Sequence, residues 1–166
     1  WVAVIREAQS MGLLTSATMM YGHVETLEER IEHLLLLRDL QAESLRVGRR
    51  AFLAFIAWPY QGNGTRLAKM IDYKPTMGTE HLRLVALARI LLTNISHIQA
   101  SWLTVGHEIA ALSLWGGADD MGSIMIEENV VSATGTEYKM DAEGMRALIR
   151  NAGFEPIRRN QAYERV

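Results

Sequence analysis

Residues 13–29 read LLTSATMMYGHVETLEE and decide the fold. The first nine are short, apolar and threonine-rich between two glycines, which is typical of a buried β-strand. The last four, TLEE, predict a helix start. In such a capping box the Thr26 hydroxyl and the Glu29 carboxylate each accept a hydrogen bond from an otherwise unpaired amide. A buried strand followed by a capped helix is the unit of a parallel α/β fold.

The same order recurs along the chain. Strands are also predicted at residues 52–58, 98–103 and 123–126, and helices at residues 1–12, 26–45, 79–90, 108–114 and 141–152, with Thr79 as a helix cap and a plain turn at residues 62–65. The predicted inward faces are Leu27, Ile31, Leu34, Leu35 and Leu40 in the second helix, and Leu82, Val85, Ala86 and Ile90 in the third. Strands and helices that alternate every ~30 to 45 residues indicate about four parallel βα units.

The composition of the chain excludes several classes of function. The 166 residues are 49% hydrophobic, so one domain with a substantial core is expected. A net charge of −2 offers no positive field for nucleic acid. No apolar run approaches the ~18 to 20 residues that cross a bilayer, and the N-terminus lacks the order of a signal peptide, so no membrane partner and a cytoplasmic location are predicted.

Two absences add to this. The chain contains no cysteine, which excludes disulfides, thiolate nucleophiles and cysteine-held iron–sulfur or zinc centres from what it does alone. It also begins at Trp1 inside a helical pattern that Gly12 is placed to end. These observations predict that the chain is part of a longer protein.

The stretch GADDMGSIMIEENVV at residues 117–131 is rich in acids, and no Lys or Arg occurs from residue 90 to residue 138. Its acidic side chains are Asp119, Asp120, Glu127 and Glu128. Without nearby cations, the carboxylates of Asp120, Glu127 and Glu128 are predicted to be free hydrogen-bond acceptors that line a polar site together with Asn129. Helix capping and a solvated loop are alternatives of equal weight from these residues alone.

Other polar residues fall where the predicted strands end. In parallel α/β folds the loops that leave the carboxyl ends of strands gather on one face. The candidate binding residues at these positions are Thr18, His23, Glu25, Trp58, Gln61, Ser101, Thr104, Ser123 and Asn129. Four strand ends are therefore predicted to converge on one polar edge.

Simpler interpretations stand beside these. His23 and Glu25 form H-x-E, but the P-C-x-x-C partner of zinc deaminases is missing, so no metal site is predicted and Glu25 could simply support the helix start. His33 lies four residues after Glu29, which predicts a solvated pair. Trp58, like other tryptophans, is more often a core residue than a binding platform.

Longer strings carry a resemblance. ATMMYGHVET (17–26), EERIEHLLLLRDLQ (28–41), ASWLTVG (100–106) and MGSIMIEENVVSATG (121–135) resemble the radical S-adenosylmethionine (SAM) enzymes of the futalosine route to menaquinone. The similarity extends over essentially the whole chain. It implies a (β/α)8 barrel about twice as long, of which residues 1–166 are the C-terminal half with strands five to eight. It also implies a 4Fe–4S cluster and SAM in the full-length enzyme, neither of them ligated by this chain alone.

The resemblance also implies a reaction. The branch that cyclises dehypoxanthine futalosine matches best, so that small molecule is the expected substrate, with Asp120, Glu127 and Glu128 as candidate catalytic acids of which the base is unassigned. Ser101 and Thr104 are expected to bind the benzoate carboxylate as neutral donors. Aminofutalosine synthase, a deazaflavin (FO) synthase subunit and an isolated non-catalytic module are the alternatives.

The same resemblance has two departures and one further consequence. Ala57 stands where a proline is expected, and Asp119 where the family usually has Asn, which makes identical roles at residues 119 and 120 less secure. Without the cluster-bearing half the isolated chain is expected to be inactive, and because a half-barrel exposes sheet edges it is expected to form a homo-oligomer or to rearrange an edge.

Overall fold

A computed structural model of the chain describes residues 1–124 and 140–166. The elements in these ranges are α1 (Val2–Ser10), β1 (Thr15–Tyr21), α2 (Leu27–Arg46), β2 (Phe52–Pro59), α3 (Arg66–Met70), α4 (Gly78–Leu91), β3 (His97–Gln99), α5 (Trp102–Val105), α6 (His107–Trp115) and α7 (Ala142–Asn151). The strands pair in parallel in the order β1-β2-β3, and helices lie between them along the chain. The predicted α/β class with parallel strands is confirmed for these three strands.

The strand-to-helix unit quoted first forms as predicted. The Glu29 amide donates to the Thr26 hydroxyl over 3.2 Å, and the Thr26 amide donates to the Glu29 carboxylate over 2.7 Å. In β1, Ala17, Met19 and Tyr21 are buried, and the side chains between them are more exposed. This alternation directs one face of the sheet toward α2 and α4, where the core lies.

The buried faces of the helices match the predicted ones only in part, at Leu34, Leu40 and Val85. In α2, Leu34 and Leu40 are buried as predicted, but Leu37 is buried too and Leu27 is 56% exposed. In α4 the buried residues are His81, Leu84, Val85 and Ala88, and Ile90 is 68% exposed. Both helices carry apolar residues around most of their circumference, so the helical period alone does not define which stripe faces the sheet.

The third strand is shorter than predicted. It ends at Gln99, and helix α5 begins at Trp102, so residues 102–103, the predicted end of the strand, are helical. Ser101 adopts a left-handed conformation with φ 53° and ψ 42°, which breaks the extended backbone between the two elements. A short apolar run does not reveal from its period whether it is strand or helix.

The chain segment that lies beside β3 comes earlier in the sequence than the predicted fourth strand. Residues 123–124 are not extended in a ladder, and residues 125–126 lie outside the described range. Instead Asp120 forms a parallel bridge with Gln99, and the Ala100 amide donates to the Asp120 carbonyl over 2.8 Å. The prediction of strand 123–126 is therefore wrong for its described part. A fourth chain segment, residues 119–124, does lie beside β3 and is called the fourth segment below.

The remaining elements follow local signals with two exceptions. Helices α6 and α7 are confirmed, the latter capped by Asp141, whose carboxylate accepts from the Gly144 amide over 2.7 Å. The predicted turn at residues 62–65 is also confirmed, but Thr65 then caps the unpredicted α3. Helix α4 is preceded by Met77, so Thr79 lies inside the helix and is not its cap. Among the described residues, none of the helices has the length and apolar character needed to span a membrane.

Candidate functional site

One row of side chains crosses the sheet at its C-terminal half. The strand register pairs Thr18 with Ile56, Ile56 with Gln99, and Gln99 with Asp120. Directly paired residues of parallel strands point to the same face, so the four side chains share the face opposite the helix-covered core. At ~4.8 Å per strand, Thr18 and Asp120 lie ~14 Å apart at the two ends of this row. The predicted residues Thr18 and Asp120 therefore share one face.

The next row toward the strand ends is more apolar. Met20 pairs with Trp58, and Met20 is 46% exposed on the face that carries Thr18. Trp58 is half-buried on the same face, so it does not belong to the helix-facing core. Sequence reasoning did not select Met20, because an isolated methionine in an apolar strand carries no functional signal.

The loop after β1 is shaped by Glu25. Its carboxylate accepts from the amides of Gly22 (2.5 Å) and His23 (3.0 Å) and from Arg30 Nε (2.7 Å), and Arg30 also pairs with Glu80. Burial opposes ionisation of Glu25, but these donors outweigh it and lower the pKa of the carboxyl group. Because its oxygens are occupied, the structure favours a loop-shaping role for Glu25 over direct substrate binding.

The first two strand ends meet at His23 and Tyr60. Their rings pack edge to face with centroids 6.0 Å apart, and the Tyr60 amide donates to the Tyr21 carbonyl over 2.7 Å. The Val24 amide donates to His23 Nδ1 over 2.7 Å, and the same nitrogen lies 3.1 Å from Glu25 Oε2. Tyr73 then donates to the Tyr60 carbonyl and packs on its ring. Both tyrosines extend the aromatic part of this edge beyond the residues predicted from sequence.

The second and third strand ends are joined by Gln61. Its amide nitrogen lies 3.1 Å from the Pro59 carbonyl and 3.4 Å from the Thr104 carbonyl, and the Thr104 hydroxyl donates to the Ser101 carbonyl over 3.1 Å. The Ser101 hydroxyl is buried and has no hydrogen-bond partner among the described residues. The predicted residues Gln61, Ser101 and Thr104 thus lie together at the carboxyl ends of β2 and β3.

The fourth segment contacts the same edge where Ser123 meets Trp102 of α5. Trp102 is buried, and its Nε1 lies 3.3 Å from the Ser123 carbonyl. A cavity of about 750 Å³ lies beside this segment, with Asp120 and Ser123 in its wall and apolar side chains of α7 opposite. The residues that join these two walls in sequence, 125–139, lie outside the described ranges. They include the predicted site residues Glu127, Glu128 and Asn129.

The prediction that the acids lack neutralising partners is wrong for Asp120. Arg159 forms a two-pronged pair with it, Nε to Oδ2 at 2.5 Å and Nη2 to Oδ1 at 2.8 Å. Oδ1 also accepts from the Gly122 amide and lies 3.3 Å from Gln99 Nε2. Since both oxygens are engaged, Asp120 is not the free acceptor that the sequence suggested.

Asp119 is ion-paired as well. Its carboxylate pairs with Arg89 Nη2 at 2.8 Å and His97 Nδ1 at 2.7 Å, and it accepts from the Ile98 amide at 2.7 Å. Arg89 precedes the cation-free stretch by one residue and Arg159 follows it by 21, so the window of sequence that suggested free acids excluded both partners. Asp119 anchors the segment to β3.

His33 also differs from its prediction as a solvated partner of Glu29. Its Nε2 lies 3.0 Å from the Thr18 carbonyl, and its ring lies 6.3 Å from that of Trp1. Burial lowers the pKa of His33. The histidine faces the sheet because it follows the buried stripe of α2, which the spacing to Glu29 did not reveal.

The described residues contain no group of three or more His, Asp or Glu side chains placed to share a metal ion. An iron–sulfur cluster does not fit this chain either, since cysteine thiolates are its usual ligands and the chain has none. The edge carries polar side chains, aromatic rings and the carboxylates of Glu25 and Asp120, which are already paired with Arg30 and Arg159.

In its described residues the chain is a parallel α/β protein, and its strand ends share one polar, aromatic edge, which is where folds of this class usually carry their sites. The particular family is given by comparison: the model of the CofH/MqnC C-terminal region matches residues 49–166, and the chain belongs to this family.

Curated relatives carry different names. Cyclic dehypoxanthine futalosine synthase of Streptomyces coelicolor is 43% identical over 100% of the chain, which covers 40% of that protein. Aminodeoxyfutalosine synthase of Thermus thermophilus is 37% identical over 100% of the chain and 44% of the relative. A 5-amino-6-(D-ribitylamino)uracil–L-tyrosine 4-hydroxyphenyl transferase of Methanosarcina acetivorans is 38% identical over 100% and 44%. The chain spans less than half the length of these relatives.

Proposed function

We propose that the protein containing this chain is a radical SAM enzyme that cyclises dehypoxanthine futalosine, and that this chain supplies the substrate-binding half. One observation carries the proposal: predicted binding residues from β1, β2, β3 and the fourth segment lie on one sheet face and at one edge. The identity of 43% with a cyclic dehypoxanthine futalosine synthase, against 37% and 38% for relatives with other names, supports the choice of reaction.

We further propose that the three strands and the fourth segment are strands five to eight of a (β/α)8 barrel. Their parallel pairing in chain order supports this arrangement. β1 lies at one edge of the described sheet, where a strand from the preceding half would pair. The face that carries Thr18, Gln99 and Asp120 would then point into the barrel.

In this enzyme the present chain binds and orients the substrate. SAM and the cluster supply the radical when they are bound, and the cysteine-free chain contributes no ligand to the cluster. Arg30 and Arg159 neutralise Glu25 and Asp120, so an anionic benzoate meets no unpaired charge from these two carboxylates. The Ser101 hydroxyl, which has no hydrogen-bond partner among the described residues, is the neutral donor proposed to orient it, and Gln61 and Thr104 hold the backbone beside it.

Proton removal is assigned to the acid-rich segment beyond residue 124. Asp120 is held in a two-pronged ion pair by Arg159 and binds the Gly122 amide, so we propose that it holds the turn in place and is not the base. Glu127 and Glu128 remain the predicted candidates for that step. A carboxylate that accepts a proton must have a lone pair free in the reacting complex.

A second candidate is the activity named for the Thermus thermophilus relative, aminodeoxyfutalosine synthase. The observation in its favour is that the similarity covers the full chain at 37% identity. The strand-end residues do not separate the two reactions, because both would need a polar, strand-end site of this kind. The substrate that is consumed separates them.

The deciding experiment is anaerobic turnover of the full-length protein with reconstituted cluster, SAM and a reductant. Dehypoxanthine futalosine is expected to disappear with formation of 5′-deoxyadenosine and a cyclic product, measured by liquid chromatography and mass spectrometry. The matched control is the same protein without SAM. Unchanged dehypoxanthine futalosine, together with turnover of an aminodeoxyfutalosine precursor, would favour the second candidate.

A further inference from the structure

We propose that residues 158–166 form a clasp that positions the strand-end turn through Arg159, which makes Arg159 a positioning residue for the reaction. The proposal deepens the proposed function and rests on it for its kinetic test. It begins from an ion pair that sequence reasoning did not anticipate and that the substrate-binding residues do not explain.

The clasp is a small hairpin held by its own backbone. The Asn160 amide donates to the Glu164 carbonyl over 2.9 Å, and the Val166 amide donates to the Arg158 carbonyl over 3.1 Å. The Asn160 side-chain oxygen accepts from the amides of residues 162 and 164, and Tyr163 adopts φ 63° in the turn. These bonds fix the direction in which Arg159 and Tyr163 leave the hairpin.

The clasp docks through a stack of three side chains. The guanidinium of Arg159 lies 3.9 Å from the centroid of the Tyr163 ring, and that ring stacks on His97 at 4.6 Å. Two neighbouring aspartates hold the ends of the stack: Asp119 binds His97, and Asp120 binds Arg159. Planar contacts of this kind and a two-pronged pair suit Arg and not Lys.

The pair lies where it controls a turn. The side chains of Arg159 and Asp120 are only 17% and 10% exposed. Asp120 Oδ1 also accepts from the Gly122 amide over 2.7 Å, and Gly122 has φ 82° with Gln99 pressed against the place of a Cβ. One carboxylate therefore ties β3, the glycine turn and the clasp together. Without Arg159 it would be a mostly buried, uncompensated charge.

What the turn carries explains the consequence for function. Ser123, a predicted binding residue, follows Gly122 directly. Its carbonyl lies 3.3 Å from Nε1 of Trp102, the first residue of α5. A shift of the turn moves this residue relative to the edge formed by the other strands. We assign Arg159 a role through Asp120, because its Nε and Nη2 groups already donate to the Asp120 carboxylate.

The test uses the full-length enzyme with Arg159→Met, Arg159→Lys and the matched control Arg158→Met, whose side chain is exposed on the same hairpin. We expect kcat/KM for dehypoxanthine futalosine to fall by roughly tenfold to a hundredfold in Arg159→Met and by less in Arg159→Lys, since a small misplacement of binding groups is costly. Arg158→Met is expected to stay within about twofold, because an exposed side chain away from special features has little effect.

Two further readouts separate positioning from general damage. If Arg159 acts through Asp120, the double variant Arg159→Met with Asp120→Asn loses no more activity than the worse single variant. Amide exchange of Gly122, measured without substrate, is expected to rise at least tenfold in Arg159→Met and not in Arg158→Met, because the amide's acceptor is released.

Additive losses in the double variant, or wild-type kcat/KM in Arg159→Met, would overturn the proposal. If the wild type does not turn over dehypoxanthine futalosine, the proposed function fails and the Gly122 exchange still decides the clasp. If Arg159→Met does not fold, the exchange of Arg159→Lys decides it, and a Gly122 amide as protected as in the wild type would contradict it.

Discussion

Gly22 makes the loop after β1 possible through two separate properties. It has φ 84°, a conformation that L side chains rarely adopt, and a Cβ at this place would overlap the Thr76 hydroxyl. Gly12 has a similar φ of 78° but faces open space. The two glycines therefore form a natural pair for separating backbone strain from steric exclusion.

Gly12→Ala is expected to lower the free energy of unfolding by ~1 kcal/mol, from the left-handed backbone alone. Gly22→Ala is expected to cost a further ~1 to 3 kcal/mol, because Thr76 or the loop must move. Urea unfolding of the chain, followed by circular dichroism, measures both. Equal losses in the two variants would show that the Thr76 contact does not restrain the loop.

At this scale, local signals were readable from the sequence and distant pairs were not. The capping box of Thr26 and Glu29 was predicted because its members lie three residues apart and have one common geometry. Asp120 and Arg159 are 39 residues apart, so nothing in one sequence links them. The predicted free acids followed from counting charges along the chain, whereas ion pairs depend on which segments fold side by side.

Among the elements, α4 is joined to β1 by a buried polar pair. The Tyr21 hydroxyl lies 2.7 Å from His81 Nδ1, and both side chains are almost completely buried. Burial lowers the pKa of His81 to about 4, because the imidazolium would lose its hydration. Burial likewise raises the pKa of the Tyr21 hydroxyl. The neutral histidine is thus part of the folded state.

This pair predicts acid sensitivity. Unfolded His81 takes up a proton near pH 6.5, and the folded residue does so only near pH 4, so stability falls as pH drops through this window. The full loss attributable to His81 is about 3 kcal/mol. His33, whose pKa is also lowered by burial, adds to the loss in the same direction.

Urea unfolding of the chain at pH 7, 5.5 and 4.5 tests this expectation, with His81→Gln as the comparison. The variant is expected to lose less stability over the pH range than the wild type, whatever its stability at pH 7. The same pH slope in both proteins would mean that His81 is not the group that titrates.

Elements with strong flanking signals were predicted and those with ambiguous periods were not. β1 and β2 are apolar runs bounded by turn residues, and both were found within two residues of their predicted ends. β3 ends where the Ala100 amide donates to the Asp120 carbonyl, and the left-handed backbone of Ser101 then leads into α5. A run such as SWLTV does not encode this change, because the competing partner lies about 20 residues away.

At the level of the whole molecule, the chain corresponds to only part of the length of its curated relatives. It covers 40% of the Streptomyces coelicolor relative, and β1 lies at an edge of the described sheet. A homo-oligomer of the isolated chain, formed through such an edge, stays a prediction. The site could be located from sequence only as far as its strand ends, since the pairing that rearranged its charges is tertiary.

We propose that substrate binds at the carboxyl ends of these strands. Hydrogen–deuterium exchange of the full-length protein, with and without saturating dehypoxanthine futalosine, tests it most directly. Substrate is expected to slow amide exchange in the loops at residues 22–25, 60–65 and 101–104, with little change at the opposite ends of the strands. Protection confined to those opposite ends, or no protection of the three loops at saturation, would contradict it.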